Sequence, residues 1–266
     1  MMMIKGQEKI CSLIDNTALD QFPRSLMLVG PRGSGKHLLS DYIANKFSLQ
    51  LLNITETLDQ ETIDEIYNRV QPYLYIIEAN KISVKEENTI LKFLEEPLKN
   101  SFIVLLAETD IGLLQTILNR CQIWHLQNYF KTDLYEYLTD KNNVNVLDIA
   151  KTPGQVKELE NINLQDAIEL ADKIITKIHI AGVANTLTIS NKVSYKETAE
   201  DKVNVTVFVD ILLNRLNNYC KENNDQRLYS AYFKTAELSK LLSVKNLDQK
   251  SLFEQYLISL REIMRG

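Results

Sequence analysis

The chain is poor in the residues that build metal centres and covalent frameworks. Its three cysteines, Cys11, Cys121 and Cys220, are widely separated and form no C-x-x-C pair, which excludes a zinc ribbon and a disulfide scaffold and makes a reducing cytoplasm the expected location. The three histidines, His37, His125 and His179, are equally scattered and belong to no H-E-x-x-H pattern or carboxylate cluster, so they read as structural rather than metal-binding. Excess positive charge is missing as well. Thirty Lys and Arg against 35 Asp and Glu leave a net charge of −5, so any contact with nucleic acid must come from a local patch or from partner chains. Long apolar runs are absent: Met1 to Lys9 has no apolar core, and Asp, Lys or Glu interrupts every later run. The sequence therefore predicts neither a signal peptide nor a membrane span. What remains is an ordinary globular composition, 45% hydrophobic and 24% charged over 266 residues, enough for two or three packed units.

Proline and glycine divide the chain. All five prolines and most of the eight glycines lie at or before Pro153, and only Gly154, Gly182 and Gly266 follow. The remainder predicts a helical bundle. Residues 164–181 place Leu164, Ile168, Ala171, Ile174, Ile175 and Ile178 on one stripe, and similar stripes recur over 203–220, 227–243 and 249–264. The last begins after Asn246-Leu247-Asp248, a capping sequence, while the polar stretch 182–201 reads as a loop between bundle helices. The front half alternates differently. Apolar runs at 25–29, 73–77 and 102–106 read as buried parallel strands, and helical candidates at 36–47, 59–70 and 84–96 lie among them. Such alternation predicts a layered α/β domain whose ligand sits at the carboxyl ends of the strands.

Gly30-Pro-Arg-Gly-Ser-Gly-Lys36 follows the first strand and precedes a helix, the context a phosphate-binding loop requires. Glycines let successive backbone N–H groups converge on phosphate oxygens, and the helix N-terminus adds partial positive charge. Gly30, Arg32, Gly33, Ser34, Gly35, Lys36 and His37 are thus the candidate cofactor-binding residues for a nucleotide such as ATP, with Lys36 reaching the β and γ phosphates. The next residue breaks the pattern. His37 stands where a Ser or Thr hydroxyl ordinarily ligates Mg²⁺, and imidazole is a poor magnesium ligand. The strand 73–77 leads into Glu78-Ala79-Asn80, a single carboxylate where an acidic pair is expected; Glu78 either orients water or metal, or caps a strand. Nucleotide binding and hydrolysis are therefore separate questions.

Together these segments resemble the clamp-loader subunits of the AAA+ ATPases, the bacterial delta-prime family above all. The resemblance rests on Ile4-Lys-Gly-Gln7, on Phe22-Pro-Arg-Ser-Leu-Met-Leu-Val-Gly30, on Tyr75-Ile-Ile-Glu78, and on Asn88 to Pro97, which ends in Leu-Glu-Glu-Pro. Thr116-Ile-Leu-Asn-Arg-Cys121 resembles the family's Ser-Arg-Cys element, with Asn119 for serine; Thr152-Pro-Gly154 resembles the lid turn, and Asn246 to Glu254 the last collar helix. The resemblance implies a RecA-like AAA+ domain over 1–127, a short helical lid over 128–160 and a helical collar over 161–266. It also implies a hetero-oligomeric ring with other clamp-loader subunits, acting on a sliding clamp and on primer-template DNA, with no membrane partner. In the family the arginine of the Ser-Arg-Cys element reaches a neighbour's nucleotide, which makes Arg120 a candidate finger in trans; a guanidinium suits charge developing on a transferring phosphoryl group. The plain alternative is a surface pair with Asp110 or Glu108.

Departures from the family shape the functional expectation. The zinc module of four cysteines is missing, so no zinc is expected, and Pro153-Gly-Gln-Val156 lacks the sensor arginine of hydrolysing subunits. With His37 and a lone Glu78, this favours a non-motor subunit in DNA replication that binds ATP weakly or not at all and lends Arg120 to a neighbour. The alternative is a motor ATPase of the same superfamily, and a more distant one a small-molecule kinase, which the long proline-free collar disfavours. Lys81, Lys85 and Lys92 are placed to touch DNA phosphates, but Glu86, Glu87, Glu95 and Glu96 cancel that charge and favour a solvated face. Tyr229, Tyr232 and Phe233 read as core by their spacing, with a collar interface as the alternative, and Trp124 reads as core.

Overall fold

The computed structural model describes residues 4–54, 72–79, 82, 84–95, 101–195, 202–244 and 247–266. The helix expected over 59–70, together with Asn80, Lys81, Glu96, Pro97 and Asn246, lies outside them, as do the side chains of Lys85, Glu87 and Asn88. The chain divides into two compact units, Met1–Asp133 and Leu134–Gly266.

The first unit is built on five parallel strands: β1 (Ser25–Val29), β2 (Gln50–Ile54), β3 (Tyr73–Glu78), β4 (Phe102–Ala107) and β5 (Gln122–His125), in the order β2-β3-β4-β1-β5. Successive side chains of a strand point to opposite faces, and here both faces are covered. Leu26, Leu28, Leu74, Ile76, Phe102, Val104 and Leu106 pack with α1 (Glu8–Asn16) and α2 (Lys36–Phe47). Met27, Val29, Tyr75, Ile77, Ile103, Leu105 and Ala107 pack with Ile90, Phe93 and Leu94 of α3 (Val84–Glu95) and with Ile117 of α4 (Gln115–Leu118). Double coverage explains why the three central strands are unbroken apolar runs. The two edge strands lack that signature: Gln50 and Asn53 of β2 and Gln122 and His125 of β5 are exposed, and neither segment reads as a strand from its sequence. Trp124 of β5 is partly buried against the core and meets Phe22 edge-on at 5.9 Å. This is the layered α/β domain on a parallel sheet expected from the sequence.

Gln7 fastens the start of the unit to its end. Wholly buried, its amide donates from Nε2 to Gln127 O (2.9 Å) and accepts at Oε1 from Gln127 N (2.9 Å). One side chain thus satisfies both backbone groups of a residue 120 positions away.

The described part of the second unit is helical. After the short α5 (Lys131–Tyr135), at the unit boundary, come α6 (Pro153–Glu160), α7 (Leu164–Lys177), α8 (Val183–Thr188), α9 (Val205–Glu222), α10 (Gln226–Leu241) and α11 (Gln249–Arg265). Side-chain caps fix where five of these begin: Thr152, Asn163, Asn204, Asp225 and Asp248 each accept from a backbone N–H of the first turn. Asp248 therefore caps the last helix, as its sequence position suggests. Nearly buried Asp210 of α9 binds Lys151 and Gln155 Nε2 (2.8 Å), tying α9 to the start of α6. Arg215 grips Asp172 of α7 with two hydrogen bonds (2.8 and 3.1 Å), and Phe208 meets Phe253 of α11 edge-on at 6.2 Å.

Two expectations are corrected. The stretch 182–201 is not simply a loop: α8 and a 3₁₀ turn, Ile189–Lys192, occupy its described part, held by Ser190 Oγ donating to Leu187 O (2.8 Å) and to Glu254 (2.9 Å). Tyr229 and Phe233 are 42% and 69% exposed rather than core, because α10 turns Leu228, Ala231, Thr235 and Leu238 inward instead. No helix among the described residues is long and apolar enough to cross a membrane.

Two measurements check this account. Gln7→Ala leaves both backbone groups of Gln127 without their partner, and should cost about 2 kcal/mol in urea unfolding followed by fluorescence of Trp124, the single tryptophan. A loss under about 0.5 kcal/mol would show that the clamp contributes nothing beyond an ordinary surface contact. Burial pushes all three thiols up, Cys121 to about 12. Thiol titration at mildly alkaline pH should therefore be slow for the native chain and fast for three equivalents in urea.

Candidate nucleotide site

The sheet register brings the expected site residues to one end. Val29, the last residue of β1, pairs with Ala107, and Glu78, the last of β3, pairs with Leu106 one step earlier on β4. The loop after β1 and the carboxylate of Glu78 thus leave the sheet side by side. Gly30 continues the ladder, its N–H donating to Ala107 O (3.0 Å). A Cβ there would lie 2.9 Å from Ser34 Oγ and 3.0 Å from Leu126 Cβ, so only glycine fits. Gly33 and Gly35 adopt φ of +76° and +93°, left-handed values that fold the loop back onto α2. Arg32 is half-buried and Gly33 exposed.

Inside the loop the polar groups are spent on one another. Lys36 is 9% exposed, and its ammonium donates to Gly30 O (2.6 Å) and Pro31 O (3.1 Å). Burial pulls its pKa below the usual lysine range, against the opposing pull of Glu108 and Glu78. Ser34 N donates to Pro31 O (3.2 Å), and Tyr129 Oη donates to Ser34 O (2.7 Å). Ser34 Oγ, by contrast, is buried with no hydrogen-bond partner. His37 is drawn onto Glu78, with Nε2 2.6 Å from Oε1. The imidazole and the carboxylate are thus engaged with each other. Among the described residues no three His, Cys, Asp or Glu side chains come together as a metal site.

Arg120 is placed elsewhere. It follows α4, and its guanidinium donates from Nη1 to Thr116 O (2.9 Å) and from Nη2 to Glu95 at the end of α3. The surface pair expected as the plain alternative exists, but its carboxylate is Glu95 rather than Asp110 or Glu108. The arginine side chain keeps 33% of its surface exposed. Lys92 is exposed on the same helix as Glu95.

Reading the sequence misses Tyr129 and Glu95 as partners of the candidate residues. Glu95 was visible only as part of a charge-balanced helix, and Tyr129 belongs to no motif. A tyrosine 95 residues from Ser34 becomes a neighbour only when β5 pairs beside β1 and the chain leaves the sheet next to the loop.

Comparisons with known proteins agree with the resemblance read from the sequence. The family model described as DNA polymerase III, delta subunit, matches residues 50–130. The delta-prime subunit of DNA polymerase III from Haemophilus influenzae is 35% identical over 71 residues, covering 27% of this chain and 22% of that protein. Its counterpart from Bacillus subtilis is 33% identical over 101 residues, covering 37% of this chain and 28% of that protein. Each match thus spans under a third of the relative's own length. Among solved structures, a DNA polymerase III gamma subunit-related protein of Thermotoga maritima has a TM-score of 0.46 at 16% identity, covering 98% of this chain and all of that one. The RuvB branch migration motor of the same organism has a TM-score of 0.47 at 16% identity, covering 77% of this chain and 67% of its own. Over the matched segments, each under two-fifths of its length, the chain is similar to the delta-prime subunits of DNA polymerase III.

Proposed function

We propose that the chain is a non-motor subunit of a DNA polymerase III clamp loader, acting in the cytoplasm within a hetero-oligomeric ring that places a sliding clamp on primer-template DNA. Residues 1–127 serve as the ATPase-like domain, 128–160 as a lid and 161–266 as the collar that joins subunits. The observation that carries the reading is the pairing of His37 with Glu78 beside a Lys36 already satisfied by its own loop. A hydrolysing site needs a hydroxyl on the metal, a carboxylate free to orient water and an ammonium free to reach the β and γ phosphates. Here the first is an imidazole, the second is engaged by it, and the third is turned onto carbonyls.

The glycines fit a phosphate loop, since Gly33 and Gly35 hold left-handed values that such a turn can use once its N–H groups are released. The donor set does not fit Mg²⁺, a hard cation that takes oxygen ligands in near-octahedral geometry. ATP binding in this loop is therefore weak or absent, and hydrolysis slow. The chain's contribution to catalysis is Arg120, whose permanently charged fork stabilises negative charge on a triphosphate held by the adjoining subunit. The hold of Glu95 is light, because an ion pair between half-exposed side chains contributes about 0–1 kcal/mol, and a triphosphate offers more charge.

Two outcomes test this. The purified chain should hydrolyse ATP no faster than a Lys36→Ala control. In the assembled loader with primed DNA, Arg120→Ala should lower hydrolysis at the neighbouring site by about 10³-fold, whereas Lys36→Ala should change the total little. The reverse ordering would make this chain the motor.

A further inference from the structure

We propose that Tyr129 is a built-in stop that holds the phosphate loop closed against nucleoside di- and triphosphates. This deepens the reading of an idle loop by naming what keeps it idle.

The ring of Tyr129 is wedged between the two segments that border the loop. A Cβ on Gly6 would stand 2.4 and 2.5 Å from two of its ring carbons, so the ring lies directly against the Gly6 backbone, which glycine alone permits at φ +81°. Its hydroxyl donates to Ser34 O at 2.7 Å, and a Cβ on Gly35 would lie 3.4 Å from the Tyr129 Oη. The ring cannot drift. Gln7, adjacent to Gly6, is clamped through two hydrogen bonds to Gln127, two residues before Tyr129.

The loop needs such a stop because its closed form is not satisfied by itself. Ser34 Oγ is buried without a partner, a state that favours opening toward water or toward a phosphate. Two donors suited to phosphate, Ser34 N–H and the Lys36 ammonium, are meanwhile turned onto Gly30 and Pro31. Moving Ser34 to release them breaks the bond from Tyr129. Binding is thereby reduced by the fraction of molecules in which the loop is open.

The test is a ligand-observed NMR titration of the full chain with ADP and with ATP, carried into the millimolar range. Tyr129→Phe keeps the ring and removes only the hydroxyl, and should tighten both nucleotides by about five-fold, the worth of one neutral hydrogen bond. Tyr129→Ala, which also removes the wedge, should tighten them further, and the gain should vanish when Lys36→Ala is added. Hydrogen exchange at Gly33 to Lys36 should quicken in Tyr129→Phe while the melting temperature falls by no more than about 4 °C, the cost of one hydrogen bond. Equal affinity in wild type and both variants, detectable or not, overturns the proposal, as does a gain that survives Lys36→Ala. The loop can open on cue while Arg120→Ala leaves the assembly unaffected; that result would spare the stop and remove the arginine role, so the two claims fail separately.

Discussion

A buried ammonium must find acceptors, and the phosphate loop is organised around that requirement. Lys36 sits at the start of α2 because three glycines turn the chain back after β1, and there it is almost removed from water. The acceptors are the loop's own carbonyls, Gly30 O and Pro31 O. The loop can therefore exist as a closed, internally paired object. Its neighbours extend that closure: Tyr129 takes the carbonyl of Ser34, and His37 takes the carboxylate of Glu78.

The sheet makes these meetings possible. β1 lies between β4 and β5, so the loop leaving it is flanked by whatever follows those two strands. On one side this brings Glu108 near enough to act on Lys36; on the other it brings Gln127 and Tyr129. Gln7 and Gly6 complete the frame from the start of the chain. A glycine that no turn signal predicts, Gly6, turns out to be needed because an aromatic ring presses on it.

How much of this is legible in the sequence follows from which contacts are local. The central strands and the loop are visible because burial on both faces and the strand-loop-helix order act over consecutive residues. β2 and β5 are not, because an edge strand with exposed Gln and Asn or His positions has no apolar run to show. The bundle helices are legible from their stripes, yet which aromatics they bury is not: spacing places Tyr229 and Phe233 on a helix without saying which side meets the core. At the site, His37 is legible as an imidazole where such loops ordinarily carry a hydroxyl, while its pairing with Glu78, 41 residues on, depends on the register of β3 against β4 and β1. Arg120 is legible as a candidate through family resemblance, and its resting partner Glu95 is not, since the contact joins the ends of two separate helices.

The proposed division of labour, an idle pocket in this subunit and a cation offered to the next, is tested most directly by imaging the assembled ring with a non-hydrolysable ATP analogue. The account expects no analogue in the Gly30–Lys36 loop, Lys36 still bound to its own carbonyls, and the Arg120 guanidinium withdrawn from Glu95 and within hydrogen-bonding reach of the adjoining subunit's triphosphate. An analogue seated against Lys36, with Arg120 facing open solvent, would contradict it.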